Sequence, residues 1–415
     1  MKFTNLNTTQ ITATCPACGL LCDDIALEDT NQQLKVVKPN CAKTVAFFEQ
    51  NLGEHTPQIA GKPASLQAAI LKAVEILKLA QKPIFTGLST DVQGFRAIYD
   101  LSQKNHAKLI HMNATSMARN LKVLQSTGWQ TTTLTEVKNR ADVIVCFGSD
   151  LLSHNTRFFE RFVDVDGMFV DAKNRQVIVL GKTSNSDVIK SAALQAAWVL
   201  PCSPDDLPSI SIALRALVAG KRLKVTEIAG VQVSDLQTVA DKLKAAQYAV
   251  LAWVAKDLDF NHAELTIQNI TETVAILNKT TRAAGLPLGG SDGDTSANNA
   301  HTWLSGLALS DEHTDHDVML WVNSFSPEKP PPPTDKPLII IGNSNIKQHI
   351  KHQADVFIPV ATPGLDCSGT LFRVDSSVVL PLKKVRENDL PTLSNVIHQI
   401  EAQLLDLNQA DSNQA

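Results

Sequence analysis

Four cysteines crowd the first tenth of the chain: Cys15-Pro-Ala-Cys18-Gly-Leu-Leu-Cys22, then Cys41. One tight loop can turn the first three thiols inward while the fourth returns from a distance to close a shared site. Thiolates so arranged are what an iron-sulfur cubane requires, each holding a separate iron. Zinc also takes four thiolates but favours paired C-x2-C knuckles over a run of three. Three readings stay open: a [4Fe-4S] cluster on Cys15, Cys18, Cys22 and Cys41, a zinc ion on the same residues, or a structural relic. Thiols clustered in a long chain whose opening, MKFTNLNTTQ, lacks the apolar stretch of a secretion signal speak against a disulfide framework.

Other residues of chemical interest have plainer explanations. Cys146 lies in an apolar run and reads as a small buried hydrophobe. Cys202 precedes a helix start, and Cys367 sits in a glycine-containing loop where a reactive thiol would need a positive neighbour or a base. His313 and His316, among the acids of Asp311–Asp317, could ligate zinc but read as a solvated connection before a strand. His349 and His352 read as surface residues beside Lys347 and Lys351. Arg157 and Arg161, at i,i+4 with Lys138 and Arg140 upstream, read as a charged helix face that could also meet a polyanionic carrier or partner. No Ser-His-Asp order, Walker loop or HExxH helix occurs, and no catalytic residue is assigned.

Alternating apolar runs and amphipathic segments must position these residues. Pro83–Ser89, Lys108–Met112, Ala141–Gly148, Gln176–Gly181, Ala249–Val254, Val318–Val322 and Leu338–Ile341 read as buried strands. Ser65–Ala80, Val92–Gln103, Leu207–Ala219, Ser234–Ala246 and Leu265–Leu277 read as helices. The alternation predicts an α/β protein with parallel sheets. At 415 residues, with 44% apolar and 19% charged residues, the chain is globular and long enough for several subdomains. The expected organisation is a Cys-rich segment (1–60), α/β subdomains at 61–200 and 201–325, a proline-rich connector (326–337, with Pro330–Pro333 on the surface), a C-terminal α/β portion (338–407) and a polar tail (408–415). A net charge of −4 gives no global pull toward nucleic acid, and no stretch approaches the roughly 20 apolar residues of a membrane span. The expected location is cytoplasmic.

The opening CPACGLLCDDI (Cys15–Ile25) resembles the start of the B-type subunit of formylmethanofuran dehydrogenase, a branch of the molybdopterin oxidoreductase superfamily. TLTEVKNRADVIVCFGSDLLSHNTRFFERF (Thr133–Phe162), GLPLGGSDGDTSANNAHTWLSG (Gly285–Gly306) and VFIPVATPGLDCSGTLFRVD (Val356–Asp375) resemble later landmarks of that family, in order along nearly the whole chain. The resemblance implies several Rossmann-like parallel-sheet subdomains behind a small Cys-rich segment.

It also implies what is missing. Redox-active members hold tungsten or molybdenum with two pterin-guanine dinucleotides and a cysteine or selenocysteine, beside a histidine. The matching segment here reads Asn113-Ala-Thr-Ser-Met-Ala-Arg-Asn120, and no cysteine occurs between Cys41 and Cys146. Met117 fills the space, but a neutral thioether does not replace an anionic thiolate. Gly181-Lys182 stands where the superfamily places an acidic ribose anchor, and Gly289-Gly290 where redox-active relatives carry an arginine. No pterin-metal cofactor is therefore expected along Asn113–Asn120, Gly148–Asp150, Gly181-Lys182 and Gly289-Gly290. The family's second form, the formyltransferase/hydrolase complex of methylotrophs, implies a non-redox structural subunit. Its expected partners are a formyltransferase, an amidohydrolase-like hydrolase and a third subunit, around a methanofuran-like carrier. An active tungsten or molybdenum dehydrogenase component and a free-standing iron-sulfur or zinc protein are the alternatives.

Overall fold

Three antiparallel strands open the part of the chain described by the computed structural model, which covers residues 9–30, 33–183, 191–312, 315–349 and 353–412. They are β1 (Thr9–Ala13), β2 (Ile25–Thr30) and β3 (Gln33–Lys38), in the order β1-β2-β3. Alternation along β2 sends Ile25 and Leu27 fully inward, as a one-sided antiparallel sheet requires. Helix α1 (Ala42–Phe48) packs against β3, and its Phe47 and Phe48 rings meet edge to face at 5.0 Å.

A short hairpin, β4 (Gln58–Ile59) and β5 (Lys62–Pro63), leads into α2 (Leu66–Leu79). Ser65 starts that helix by accepting from Ala68 N at 3.2 Å, and Ala69, Ile70, Ala73, Val74 and Leu77 bury one face. Strand β6 (Pro83–Ser89), helix α3 (Val92–Asn105) and strand β7 (Lys108–His111) follow. Asp91 caps α3 by accepting from Gly94 N at 3.0 Å, and His106 ends it in the left-handed conformation. Helices α4 (Ala114–Ser126) and α5 (Leu134–Arg140) precede β8 (Val143–Ser149), β9 (Gln176–Lys182) and β10 (Trp198–Leu200). After helix Leu207–Val218 come a second hairpin, β11 (Glu227–Ile228) and β12 (Val231–Gln232), and strands β13 (Ala249–Val254) and β14 (Ala283–Leu288). The chain ends through β15 (Val318–Asn323), β16 (Leu338–Asn343), β17 (Val356–Val360), the hairpin β18 (Gly369–Phe372) and β19 (Val379–Leu382), and helix Leu393–Ser412.

The longer strands form two sheets. One has the order β5-β4-β17-β16-β15-β6-β7, with β17 through β7 parallel; the other is β10-β9-β8-β13-β14, parallel throughout. Their inner strands are buried on both faces, which is why they read as unbroken apolar runs; Ile144, Val145 and Cys146 have no exposed surface.

Two compact units contain these sheets. The first comprises the chain up to Ala114 with Ser291–Arg373 and the stretch from Val378 onward; the second comprises Thr115–Gly290 with Val374–Ser377. The contiguous spans 61–200 and 201–325 thus each contribute strands to both sheets. Among the described residues no helix is long and apolar enough to cross a membrane.

Two details differ from the expected organisation. Residues 326–337 form no strand, and Pro332 and Pro333 are exposed, but Pro330 and Pro331 are half-buried. The start of this connector is tied down, because Asn323 Nδ2 donates to the carbonyls of Ser326 at 2.6 Å and Lys329 at 2.9 Å. The polar run from Asn408 continues helix Leu393–Ser412 rather than starting a tail. That helix is anchored by buried Val396, Ile397, Ile400 and Leu404, and its Gln, Ala and Leu residues carry little helix penalty.

Candidate functional site

The four N-terminal cysteines lie around one turn of backbone. Cys15 N donates to Cys22 O at 2.8 Å, and Leu21, at φ 46°, donates its N–H to Cys18 O at 3.2 Å, so the loop folds back on itself. Cys41 is the residue before α1, and Thr44 of that helix lies 3.4 Å from Cys15 Sγ. Cys15, Cys22 and Cys41 are buried and Cys18 is half-buried. Burial pushes the Cys15 thiol up, and Cys18 and Cys22 add to the effect. Burial followed by the influence of Cys22 raises Cys18 to about 11, with Cys41 acting in the same sense. Among the described residues, however, no three His, Cys, Asp or Glu side chains stand close enough to hold a single metal ion.

The segment that resembles the metal-ligand position forms the start of α4. It is fixed by Trp253 Nε1 donating to Asn120 Oδ1 at 2.9 Å and by Arg119, which donates to Ala255 O at 2.8 Å and to Asp259 at 2.5 Å. Met117 is half-buried. No thiolate is available along this helix, so the residues present do not fit a thiolate-held tungsten or molybdenum.

In the second unit's sheet the strand order runs outward both ways from β8, and the carboxyl ends of β8 and β13 flank the crevice where open α/β sheets usually take ligands. The chain's own groups occupy it. Ser149 Oγ donates to Asp257 Oδ2 at 2.7 Å and His154 Nε2 to Oδ1 at 2.6 Å. Burial works against charge on Asp257, but the bonds from His154 and Ser149 hold its carboxyl below the usual range. Gly289-Gly290 follows β14 with both residues at positive φ, and Asn155 pins Gly289 with two hydrogen bonds, at 2.8 and 2.7 Å. Gly181 lies against Gly148, where an added Cβ would come 2.4 Å from the Gly148 carbonyl oxygen.

The first unit carries a polar network that the sequence reading missed. Asp292 is buried at the end of β14's loop and accepts from Lys329 Nζ, Ser326 Oγ, Ser291 Oγ at 2.6 Å and Asn113 Nδ2 at 3.3 Å. His111 Nε2 donates to Asp292 O at 3.2 Å while its Nδ1 accepts from Asn113 N at 3.0 Å. Burial holds this imidazole below its ordinary pKa despite Asp294 and Asp292 nearby. The acid-rich GGSDGD run was the only local signal for this network; Lys329 lies far off in sequence.

The remaining candidates settle into packing roles. Burial pushes Cys146 up, and burial with Asp206 raises Cys202 to about 11. Cys367 goes to about 12 through burial, then Asp91 and Asp366, the opposite of an activated thiol. Arg157 is buried rather than on a solvent face: its guanidinium turns back to Glu160 at 2.6 Å, and Arg161 lies over the Phe162 ring. Ile346–His349 form a single 3-10 turn. His313 and His352 lie outside the described residues.

The fold is shared with acetylene hydratase from Pelobacter acetylenicus, which superposes with a TM-score of 0.62 over 95% of this chain and 69% of that chain, at 11% identity. The chain is a homologue of the B-type subunits of formylmethanofuran dehydrogenases and of the corresponding component of a formyltransferase/hydrolase complex. It is 24% identical over 408 residues to the B-type subunit of tungsten-containing formylmethanofuran dehydrogenase 2 of Methanocaldococcus jannaschii, covering 89% of this chain and 92% of that protein. The same component of the Methanococcus maripaludis enzyme is 25% identical over 409 residues, with the same coverages. The B-type subunit of the formyltransferase/hydrolase complex Fhc of Methylorubrum extorquens is 24% identical over 379 residues, 84% of this chain and 98% of that protein. In the crystal structure of the M. extorquens FhcABCD complex with methylofuran, the matching chain superposes with a TM-score of 0.69 at 23% identity, over 85% of this chain and 99% of that chain. No protein-family profile matches the chain.

Proposed function

We propose that this chain is the B-type subunit of a formyltransferase/hydrolase complex in one-carbon metabolism, a cytoplasmic structural component without redox activity. The observation that carries this reading is α4: where redox-active relatives hold their metal with a thiolate, this helix offers Met117 and no cysteine. The pinned Gly289-Gly290 turn, in place of an arginine, points the same way. Formyl transfer to a methanofuran-like carrier and its hydrolysis would then belong to partner subunits.

Cys15, Cys18, Cys22 and Cys41 would hold a [4Fe-4S] cluster. Three thiols on one loop, with Cys41 returning just before α1, suit one thiolate per iron better than the paired knuckles of a tetrahedral zinc. Such a cluster supplies electron transfer when a redox partner is near; here this chain's part is to wrap it in the β1–β2 loop and tie that loop to α1, stapling a segment with little core of its own.

The competing reading, a component of an active tungsten enzyme, draws on the two tungsten-containing relatives and the retained cysteines. Metal and pterin analysis of the purified complex separates the two. Iron without tungsten, molybdenum or pterin, in a preparation that retains formyltransferase and hydrolase subunits, is the expected result. Stoichiometric pterin with tungsten or molybdenum would overturn the proposal.

A further inference from the structure

We infer that the outer face of α3, with the exposed end of helix Asp294–Ser305 beside it, docks a second copy of this chain about a two-fold axis, the two α3 helices lying antiparallel. The inference goes beyond the proposed function and does not rest on it. Both elements belong to the first unit. Phe95, Ile98 and Leu101 bury the inner side of α3. Gln93, Arg96, Asp100 and Gln103 are left exposed, spaced three, four and three residues apart. On a helix that spacing makes one continuous stripe.

The stripe is its own complement. Its spacing reads the same from either end, so an antiparallel copy sets Gln93 against Gln103 and Arg96 against Asp100, each pairing made twice by the symmetry. A parallel copy would instead set Arg96 against Arg96. Neither charge is answered within the chain. Among the described residues Arg96 pairs with no carboxylate, its side chain donating only to Gln93 Oε1 at 3.4 Å, and Asp100 pairs with no cation. Lys104, one turn beyond Asp100, is taken by Glu401. A different chain would have to carry the same side chains in reverse order, a requirement that a second copy meets by symmetry. Charge complementarity therefore selects the second copy.

Apolar surface flanks the stripe. Trp303 is 63% and Leu307 66% exposed, and the Arg96 guanidinium lies 5.6 Å from the Trp303 ring centroid. This helix end is held in place rather than loose. His301 Nδ1 donates to Leu307 O at 2.8 Å, Leu307 N to Ser305 Oγ at 3.0 Å, and Gly306 N, at a φ of 74°, to Thr302 O at 2.8 Å. The His301 ring meets Phe95 and Tyr99 edge to face at 6.3 and 5.8 Å, which pins the helix end onto α3. Tryptophan is seldom left in water, and tryptophan beside arginine is the combination that anchors interfaces. The two-fold that opposes Arg96 and Asp100 runs across the helices. It therefore carries both Trp303–Leu307 pairs to the same flank of the paired helices, where they join into one apolar strip.

Sedimentation velocity and light scattering of the full chain from about 1 to 100 μM, where an interface of ordinary size assembles, test this. Dimers are expected. Arg96→Asp and Asp100→Arg each set like charges across the axis and are expected to weaken dimerisation about tenfold or more. The doubly changed chain, Arg96→Asp with Asp100→Arg, restores opposite charges and is expected to dimerise about tenfold more tightly than either single variant. Trp303→Ser is expected to weaken dimerisation about tenfold or more. All of these change exposed side chains and should leave the unfolding temperature unaltered. Leu265→Ser, at a residue 54% exposed on the second unit, should dimerise like the unaltered chain. A chain that stays monomeric throughout this range would overturn the inference, as would a doubly changed chain that dimerises no better than the single variants. Loss of another subunit from the purified complex of Arg96→Asp, with dimerisation of the chain unchanged, would assign the face to that subunit and overturn the inference as well.

Discussion

Lys329 reaches from the head of the proline-rich connector to the carboxylate of Asp292, whose side chain is 1% exposed. The pair joins residues 37 apart in sequence and fixes the connector's start, which Asn323 brackets from β15. Removing the lysine leaves a buried carboxylate with only neutral donors. Lys329→Ala is expected to destabilise the first unit by about 3 kcal/mol, with the double change Asp292→Asn, Lys329→Met costing less. Hydrogen exchange of residues 291–330 together with urea unfolding would measure both, and equal losses for the single and double variants would contradict the pairing.

The same aspartate gives an acid dependence. Burial opposes its charge, but Lys329 and the bonds from Lys329, Ser291 and Ser326 outweigh burial and hold Asp292 at about 2, below the ordinary 3.8. A carboxyl depressed in the folded state contributes stability above its unfolded pKa and loses it as the pH falls through the folded one. The contribution is about 2 kcal/mol, complete above about pH 4 and gone below about pH 2. Urea midpoints of the unaltered chain should fall more steeply over this window than those of Asp292→Asn.

How far the sequence discloses this structure depends on the range of the interactions concerned. Strand β8 announces itself as ADVIVCFG because both faces of a parallel sheet are buried, and Ser65 marks the start of α2 by its hydroxyl. The grouping of Cys15, Cys18 and Cys22 is legible because all three share one loop. The Lys329–Asp292 pair is not, since it joins segments whose proximity follows from strand order rather than local pattern. Arg157 misleads for a related reason. Its i,i+4 spacing with Arg161 implies a common outer face, but helix Phe158–Phe162 is only five residues long and Arg157 precedes it, where the side chain is buried beneath its exposed partner Glu160. The interleaving of the two units escapes a linear reading because the chain leaves the first sheet after β7 and re-enters it at β15.

Gly289 shows why an arginine is not simply restored after β14. Its φ is +107°, and an added Cβ would sit 3.3 Å from Val254 Cγ1, within a turn that Asn155 bonds on both sides. Gly289→Arg is expected to cost about 1–3 kcal/mol in backbone strain, read as a lower thermal midpoint, and to confer no formate-level redox activity on the complex. An unchanged midpoint would mean that the turn readily adopts another backbone.

Cys367 should be a poor nucleophile. Burial and the carboxylates of Asp91 and Asp366 raise its thiol to about 12, leaving little thiolate at neutral pH. Alkylation by iodoacetamide at pH 8, followed by peptide mass spectrometry, is expected to run at least tenfold slower than at a free cysteine, for which the thiolate fraction is far larger. Labelling at the rate of free cysteine would show that the loop opens readily.

Cys18 offers the sharpest test of the N-terminal site because it is the least buried of the four thiols, so serine replaces it with little packing loss. Cys18→Ser is expected to lower iron bound per chain after anaerobic reconstitution, to increase protease cleavage between β1 and α1, and to leave formyl transfer by the partner subunits unchanged. The pH dependence follows from the raised thiols. Cys15 and Cys18 are protonated near neutrality when no metal is bound, so cluster assembly must expel protons and weakens as pH falls. Reconstitution at pH 6 should therefore yield less cluster absorbance than at pH 8, with Cys18→Ser low at both. Equal iron content in the unaltered chain and Cys18→Ser, or uptake that rises on acidification, would remove these four residues as the ligand set.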